Sequence, residues 1–276
     1  MTARLALATW GAALALVALA LAFLWSVPPL RGIPNLPPAT PVVIIGSSMT
    51  GYAVPLRPPP EGVLGDGRAH ARWQTGAITE ARTLELLEGA LDAGAQTVLV
   101  EANAFASSRA AARRARARHL AGQLDLALSD MTDRLQTALF TLRGRPAQPV
   151  NRREPDLSPR PWYPERENLT AMFPAPLTSP EDPARLTAAL DRARAQGTEV
   201  VFFEPPRPAS VVAAQTPEGY AALMQHLHAF ANGYGSTFIS FGNDWPDTLF
   251  RDRGHMNADG RARFLRELPQ AWKERR

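Results

Sequence analysis

The sequence predicts an α/β protein: a three-layer α/β/α sandwich around a five-stranded parallel sheet, preceded by one N-terminal transmembrane helix. Three observations carry this expectation. Short runs of apolar and β-branched residues alternate with helix-period stretches along most of the chain, which is the pattern of strands joined by crossover helices. The third of those runs, "TVLVEA" at Thr97–Ala102, is apolar in a continuous run, as a strand buried on both faces should be. Before them stands Leu5–Val27, "LALATWGAALALVALALAFLWSV", which carries no charge and is long enough to cross a bilayer as a helix.

That first segment is read as an uncleaved anchor over residues 1–27. Arg4 precedes it and Trp25 sits where an interfacial aromatic would sit. A cleaved signal peptide has a shorter apolar core ending in small residues. Here "ALA" at 18–20 lies inside the run, with Phe23 and Trp25 beyond it. A single N-terminal span before a large domain places that domain outside the cytoplasm, in the periplasm. Residues 28–41 belong to the proline-rich "SVPPLRGIPNLPPATP", an extended spacer that lifts residues 42–276 off the membrane.

The elements of that domain follow in order. Val42–Ile45 is the first strand, and a weaker one is expected near Ala69–Trp73. In "TEARTLELLEGALDAGA", Thr79 can cap a helix, Leu84, Leu87 and Leu91 share a face, and Gly94 can end it. Thr97–Ala102 is the third strand. A helical stretch at about 107–142 comes next, then a proline-rich insertion at about 144–182 with little apolar period. A helix at about 183–196 buries Leu186, Ala189, Leu190 and Ala193, and Glu199–Glu204 is the fourth strand. A helix at about 217–232 carries Tyr220, Leu223, Leu227 and Phe230, Ser236–Phe241 is the last strand, and Ala258–Leu268 closes the fold.

Composition narrows the chemistry. With 276 residues, 45% of them hydrophobic, the chain can bury a sizeable α/β core. There is no cysteine, so disulfides, zinc–cysteine sites and thiol catalysis are excluded. The net charge is +4, and arginine-rich basicity favours anionic partners such as lipid headgroups or acidic polymers; a nucleic-acid partner is not expected. No cofactor or metal is expected. His226 and His228 lie two residues apart, which on a helix points them to different sides, unlike the four-residue spacing of helical zinc sites.

In parallel sheets, ligands gather at the carboxyl ends of the strands. The first strand ends in Gly46-Ser47-Ser48, the third leads into Asn103, and Asp252 and His255 follow the last strand in "DRGHMNADG". A serine hydroxyl needs a base within hydrogen-bond reach, and histidine titrates near the neutral range. Asp252, three residues before His255, could hold the imidazole in the right tautomer. The Asn103 amide, with backbone N–H groups at Ser48 and a glycine, could stabilise an oxyanion. Gly76, in "WQTGAIT", is the natural glycine, with Gly65 and Gly67 as alternatives.

This constellation resembles the SGNH (GDSL-like) hydrolase superfamily over about Val42 to Leu268. Ser48 in "IIGSSMT" matches the first-block nucleophile, Gly76 the second-block oxyanion glycine, and Asn103 in "VLVEANAF" the third-block asparagine. Asp252 and His255 match the last-block Asp-x-x-His. The chain departs from the pattern at Ser47, where the family has aspartate, and in "EANA", where Gly-x-Asn-Asp is common. The "GSS" variant is similar to a membrane-anchored branch that acts in O-acylation of cell-envelope polymers beside a membrane-bound O-acyltransferase.

The resemblance implies a flavodoxin-like fold and an SGNH-type esterase or O-acyltransferase. It would move an acyl group, acetyl first among those expected, onto or off a cell-envelope or exported polysaccharide through an acyl-serine. The alternative from another class is a catalytically idle SGNH-like carbohydrate-binding or assembly module that recruits the membrane acyltransferase. Elsewhere, "SSRAAARRARARHL" packs five arginines into Ser107–Leu120, as a solvated face or as a contact for anionic headgroups. Trp162 and Tyr163 could stack on sugar rings or pin the insertion to the domain. Arg207, after the fourth strand, is read as a solvated loop residue with a remote prospect of touching substrate.

Overall fold

The computed structural model describes residues 40–74, 80–106, 154–166, 169, 180–214 and 216–275, and all of them belong to one compact unit of the chain. The expected anchor, the helix at about 107–142 with its arginine cluster, Thr79 and Gly76 lie outside the described residues. Among the described residues, no helix is long and apolar enough to cross a membrane.

Five strands form one parallel sheet: β1 (Val42–Gly46), β2 (His70–Gln74), β3 (Thr97–Glu101), β4 (Glu199–Phe203) and β5 (Thr237–Ile239). Their spatial order is β2-β1-β3-β4-β5, with every neighbouring pair parallel. Val42 pairs with His70 on one side and Thr97 on the other, and Thr97 pairs with Glu199, so the carboxyl ends line up along one edge. The order reverses direction between β1 and β3. That is the point where an open parallel sheet leaves a crevice at its carboxyl edge.

Alternation along the strands builds the layers. Val43, Ile45, Val98, Val100, Val200 and Phe202 face one core. There they meet Leu84, Leu87 and Leu91 of α2 (Glu80–Asp92), Leu186 and Leu190 of α4 (Pro183–Ala195), and Leu223 and Leu227 of α6 (Thr216–Gly233). Val42, Ile44, Leu99, Val201 and Phe203 face the other core, against Phe264, Leu268 and Trp272 of α7 (Ala258–Glu274) and the indole of Trp245. Each fully buried side chain of this size contributes roughly 1.5–3 kcal/mol of transfer free energy. The sandwich is therefore held from both faces of the sheet.

Shorter helices fill the carboxyl edge: α1 (Ser48–Ala53), α3 (Asn103–Ala106) and α5 (Ala209–Ala213). None of them is long enough to show a sequence period, and none was expected. Gly94, at φ +76°, ends α2 in the left-handed conformation that glycine adopts without strain. The closing helix differs most from expectation. It runs through Pro269 to Glu274 instead of stopping at Leu268, because Phe264, Leu268 and Trp272 fall four residues apart and keep one face buried. That burial outweighs the hydrogen bond that proline forfeits. The last strand is also shorter than the apolar run Ser236–Phe241, since only Thr237–Ile239 find partners on β4.

Residues 154–163 of the proline-rich insertion dock on the domain. The Glu154 carboxylate meets Arg261 at 3.0 Å and Arg72 at 3.6 Å, and the Leu157 carbonyl accepts the Ala258 N–H at 3.2 Å. Trp162 is partly buried against the second core, whereas Tyr163 is 49% exposed. Trp162 thus pins the loop to the domain.

Candidate active site

Ser48 is presented by a strand–turn–helix unit that needs a glycine. A Cβ on Gly46 would lie 2.0 Å from Thr50 Oγ1 and 2.8 Å from Glu101 Oε2, so no side chain fits where β1 turns into α1. Ser47 follows in extended backbone and caps the helix, its hydroxyl accepting the Met49 N–H at 3.1 Å. Ser48 is then the first helical residue, and its N–H is one of those that have no acceptor within the helix. At the other end of α1, two arginines satisfy the last carbonyls. Gly51 O accepts from Arg72 Nη1 at 2.7 Å and from Arg261 Nη2 at 3.0 Å, while Arg261 Nε donates to Tyr52 O at 2.7 Å.

The second part of the site is a tight loop closed by an antiparallel bridge between Phe250 and Met256, with the Arg251 N–H donating to the His255 carbonyl at 2.9 Å. Inside it, Asp252 Oδ1 accepts the backbone N–H groups of Gly254 at 3.0 Å and His255 at 2.9 Å. Its Oδ2 stands 2.8 Å from His255 Nδ1, and His255 Nε2 stands 2.8 Å from Ser48 Oγ. An ionised carboxylate can only accept, so Nδ1 carries the proton and Nε2 is left to accept from the serine hydroxyl. Burial would raise the Asp252 carboxyl, but hydrogen bonds from the imidazole and the two backbone N–H groups hold it below the usual carboxylate range. The Tyr52 ring packs beside the imidazole at 4.5 Å between centroids, and the Arg251 guanidinium lies 5.4 Å from the Tyr52 ring centre.

Asn103 is buried just beyond the carboxyl end of β3, the strand beside β1, and its side-chain amide donates to Glu204 Oε2. Glu204 is itself 1% exposed and accepts from Arg207 Nε at 3.0 Å and Nη2 at 2.5 Å. Burial pushes the Glu204 carboxyl up, and the nearby Glu101 charge adds to this against the opposing effects of Arg207 and Asn103. Arg207 is therefore buried rather than loop-solvated, correcting the expectation from its proline-rich surroundings. Gly65 and Gly67 fall out as oxyanion glycines, because they precede the amino end of β2 and Ser48 lies at the carboxyl edge. Gly76, beyond the carboxyl end of β2, is outside the described residues.

Glu101, Thr50 and Glu204 went unread in the sequence. The available signal was a glutamate closing each of two apolar runs, "TVLVE" and "VVFFE", where strand periodicity alone favours another apolar residue. His228 sits on α6 with its ring 5.7 Å from that of Phe238, and among the described residues no group of acidic and histidine side chains could hold a metal ion. An open cleft of about 410 Å³ between α5, α6 and the segment after β5 is lined by Val212, Tyr220, Met224 and Phe241; Ser48 and His255 do not line it.

No family model matches the chain, and no curated protein matches it either. Among solved structures, the chain is similar to one from Bacteroides fragilis described provisionally as an acylhydrolase, with a TM-score of 0.44 and 12% identity over 89% of this chain and 92% of that one. It is also similar to TesA, with a TM-score of 0.38 and 14% identity over 84% of this chain and 98% of that one. Likenesses this distant leave the chemistry to rest on this chain's own residues, whose five-stranded parallel sheet agrees with the SGNH-type fold that the sequence resembles.

Proposed function

We propose that the protein is a serine ester hydrolase of the SGNH type. The observation that carries the reading is the continuous chain of contacts from Asp252 through His255 to Ser48, each link 2.8 Å long. Ser48 Oγ attacks an acyl carbonyl while its proton passes to His255 Nε2. The carbonyl oxygen becomes an oxyanion, for which the Ser48 N–H, the second amide hydrogen of Asn103 and the Gly76 N–H are the donors. Collapse of the intermediate breaks the ester C–O bond, and the alkoxide leaves with the proton from Nε2. Water or an acceptor hydroxyl then repeats the sequence on the acyl-serine, returning the proton to Ser48.

The finer reading adds an acetyl group, an envelope or exported polysaccharide as donor or acceptor, and transfer as well as hydrolysis. It draws on the sequence: the uncharged Leu5–Val27 as an inner-membrane anchor, the proline spacer, and the "GSS" turn. In this arrangement residues 42–276 work on the periplasmic side beside a membrane-bound O-acyltransferase. The test of the core reading is covalent labelling of the full chain by a fluorophosphonate together with turnover of a chromogenic acetyl ester. Both are expected to vanish in Ser48→Ala, and retained labelling would overturn the reading.

The idle carbohydrate-binding or assembly module has one observation in its favour, the engagement of the Asn103 amide by Glu204. It requires polysaccharide binding without any ester turnover by the unaltered chain, so the same assay separates the two.

A further inference from the structure

Glu101 is the most deeply buried acidic residue near Ser48, at 0% exposure at the end of β3. One of its oxygens does all the hydrogen bonding found among the described residues. Oε2 accepts the Ser47 N–H at 2.8 Å and the Thr50 hydroxyl at 2.7 Å, whereas Oε1 is buried with no hydrogen-bond partner there. These two donors bracket Ser48 in sequence, one residue before it and two after it. Gly46 completes the arrangement, since any Cβ there would occupy the space between Thr50 and this carboxylate.

A buried carboxylate with an idle oxygen costs stability, and the three residues of β3 before it are Val98, Leu99 and Val100. Packing alone therefore gives no reason for an acid at this position. A reason appears when the turn is considered as a mount for Ser48. The contact to Ser47 fixes the peptide that enters α1, and the contact to Thr50 fixes the helix's first turn from the sheet side. Together they tie the chain on both sides of Ser48 to the end of β3.

We propose that Glu101 is the positioning residue of the nucleophile, holding the Gly46–Thr50 turn so that Ser48 Oγ meets His255 Nε2. The inference rests on reading Ser48 as the nucleophile. Misplacing a reacting atom by about 1 Å can cost on the order of 100-fold in rate, and this is the scale of effect that loss of the tether should have. Glu101 itself touches no reacting atom.

The experiment compares full-length Glu101→Leu, Glu101→Gln and Thr50→Val with the unaltered chain, using a chromogenic acetyl ester and the rate of fluorophosphonate labelling. Glu101→Leu should lower kcat and the labelling rate by roughly 100-fold, with KM changed by less than about twofold. Glutamine keeps a carbonyl oxygen able to accept both donors, so Glu101→Gln should recover to within about tenfold of the unaltered rate. Thr50→Val removes a single donor at constant volume and should lower kcat by about tenfold with KM unchanged. A merely structural role would not separate kcat from KM in a folded variant, nor be rescued by glutamine. If Glu101→Leu does not fold, the Thr50→Val kinetics decide. Full kcat in Thr50→Val or in folded Glu101→Leu overturns the proposal, as does a Glu101→Gln variant as slow as Glu101→Leu. An unaltered chain that neither turns over ester nor takes label would instead overturn the Ser48 reading beneath it.

Discussion

Asp252 uses its two oxygens for different tasks: Oδ1 gathers backbone N–H groups of its own loop, and Oδ2 takes the imidazole. Asparagine at this position keeps the size but can present an N–H to Nδ1, which favours the wrong imidazole tautomer. On the serine reading, Asp252→Asn should lower kcat by about 10³–10⁴-fold with little change in KM, measured on a chromogenic acetyl ester. The same substitution should alter acid stability. The native Asp252 carboxyl is held below its ordinary range, so the folded state binds this proton less readily than the unfolded chain does. Its stabilisation is complete above the ordinary carboxylate range and is lost as pH falls through the lower native value. Urea denaturation at a series of pH values below neutral should therefore show a shallower acid loss in Asp252→Asn. Ser48, Asp252 and His255 could be grouped from sequence because the chemistry of a serine demands a base, and the aspartate lies only three residues from the histidine. The partner of Asn103 could not, since Glu204 is 101 residues away and no local pattern links them.

Among the elements, the loop carrying His255 depends on how closely α7 approaches it. A Cβ on Gly260 would stand 2.2 Å from the Leu249 carbonyl oxygen, a backbone atom that cannot swing aside. Gly260→Ala should destabilise the fold by about 1–3 kcal/mol in urea titration. On the serine reading it should also reduce ester turnover, because Asn257 joins the same contact by donating from its side chain to Thr248 O at 2.7 Å. Strands β1, β3 and β4 were legible within a residue because uninterrupted apolar runs bounded by polar turns have few other readings. The end of α7 was not legible: proline normally marks a helix boundary, and only the tertiary burial of Trp272 overrides that local preference. Helices α1 and α5 are set by turns at strand ends and leave no period to find.

For the molecule as a whole, the site joins opposite ends of the domain: Ser48 and His255 are 207 residues apart and meet across the carboxyl edge of the sheet. Arg261 of α7 ties the last helix to the first one after β1, and Glu154 from the docked insertion pairs with both arginines that hold it. Local loosening at either end should then separate the serine from its base. On the serine reading, ester turnover and far-UV ellipticity are expected to disappear at the same urea midpoint; turnover lost well before the ellipticity would show that the two ends part while the sheet persists. The layered α/β/α plan was readable from alternation of strands and helices, whereas the runs themselves carry no mark of their neighbours, so the strand order β2-β1-β3-β4-β5 was legible only through the flavodoxin-like fold that the resemblance implied.

The grip of Asp252 on the imidazole reaches further than orientation. Both carboxylate oxygens are committed, and the Tyr52 ring lies along one flank, so His255 is held against turning over between successive proton transfers. On the serine reading, Nε2 must serve the departing alcohol and the incoming hydroxyl from the same side. The two then compete for a single doorway, and the first has to vacate it before the second can enter. Whatever accepts the acyl group, the order of events is fixed as ping-pong, and free product alcohol should inhibit by competing with the acceptor for the acylated protein rather than with the ester for the resting one.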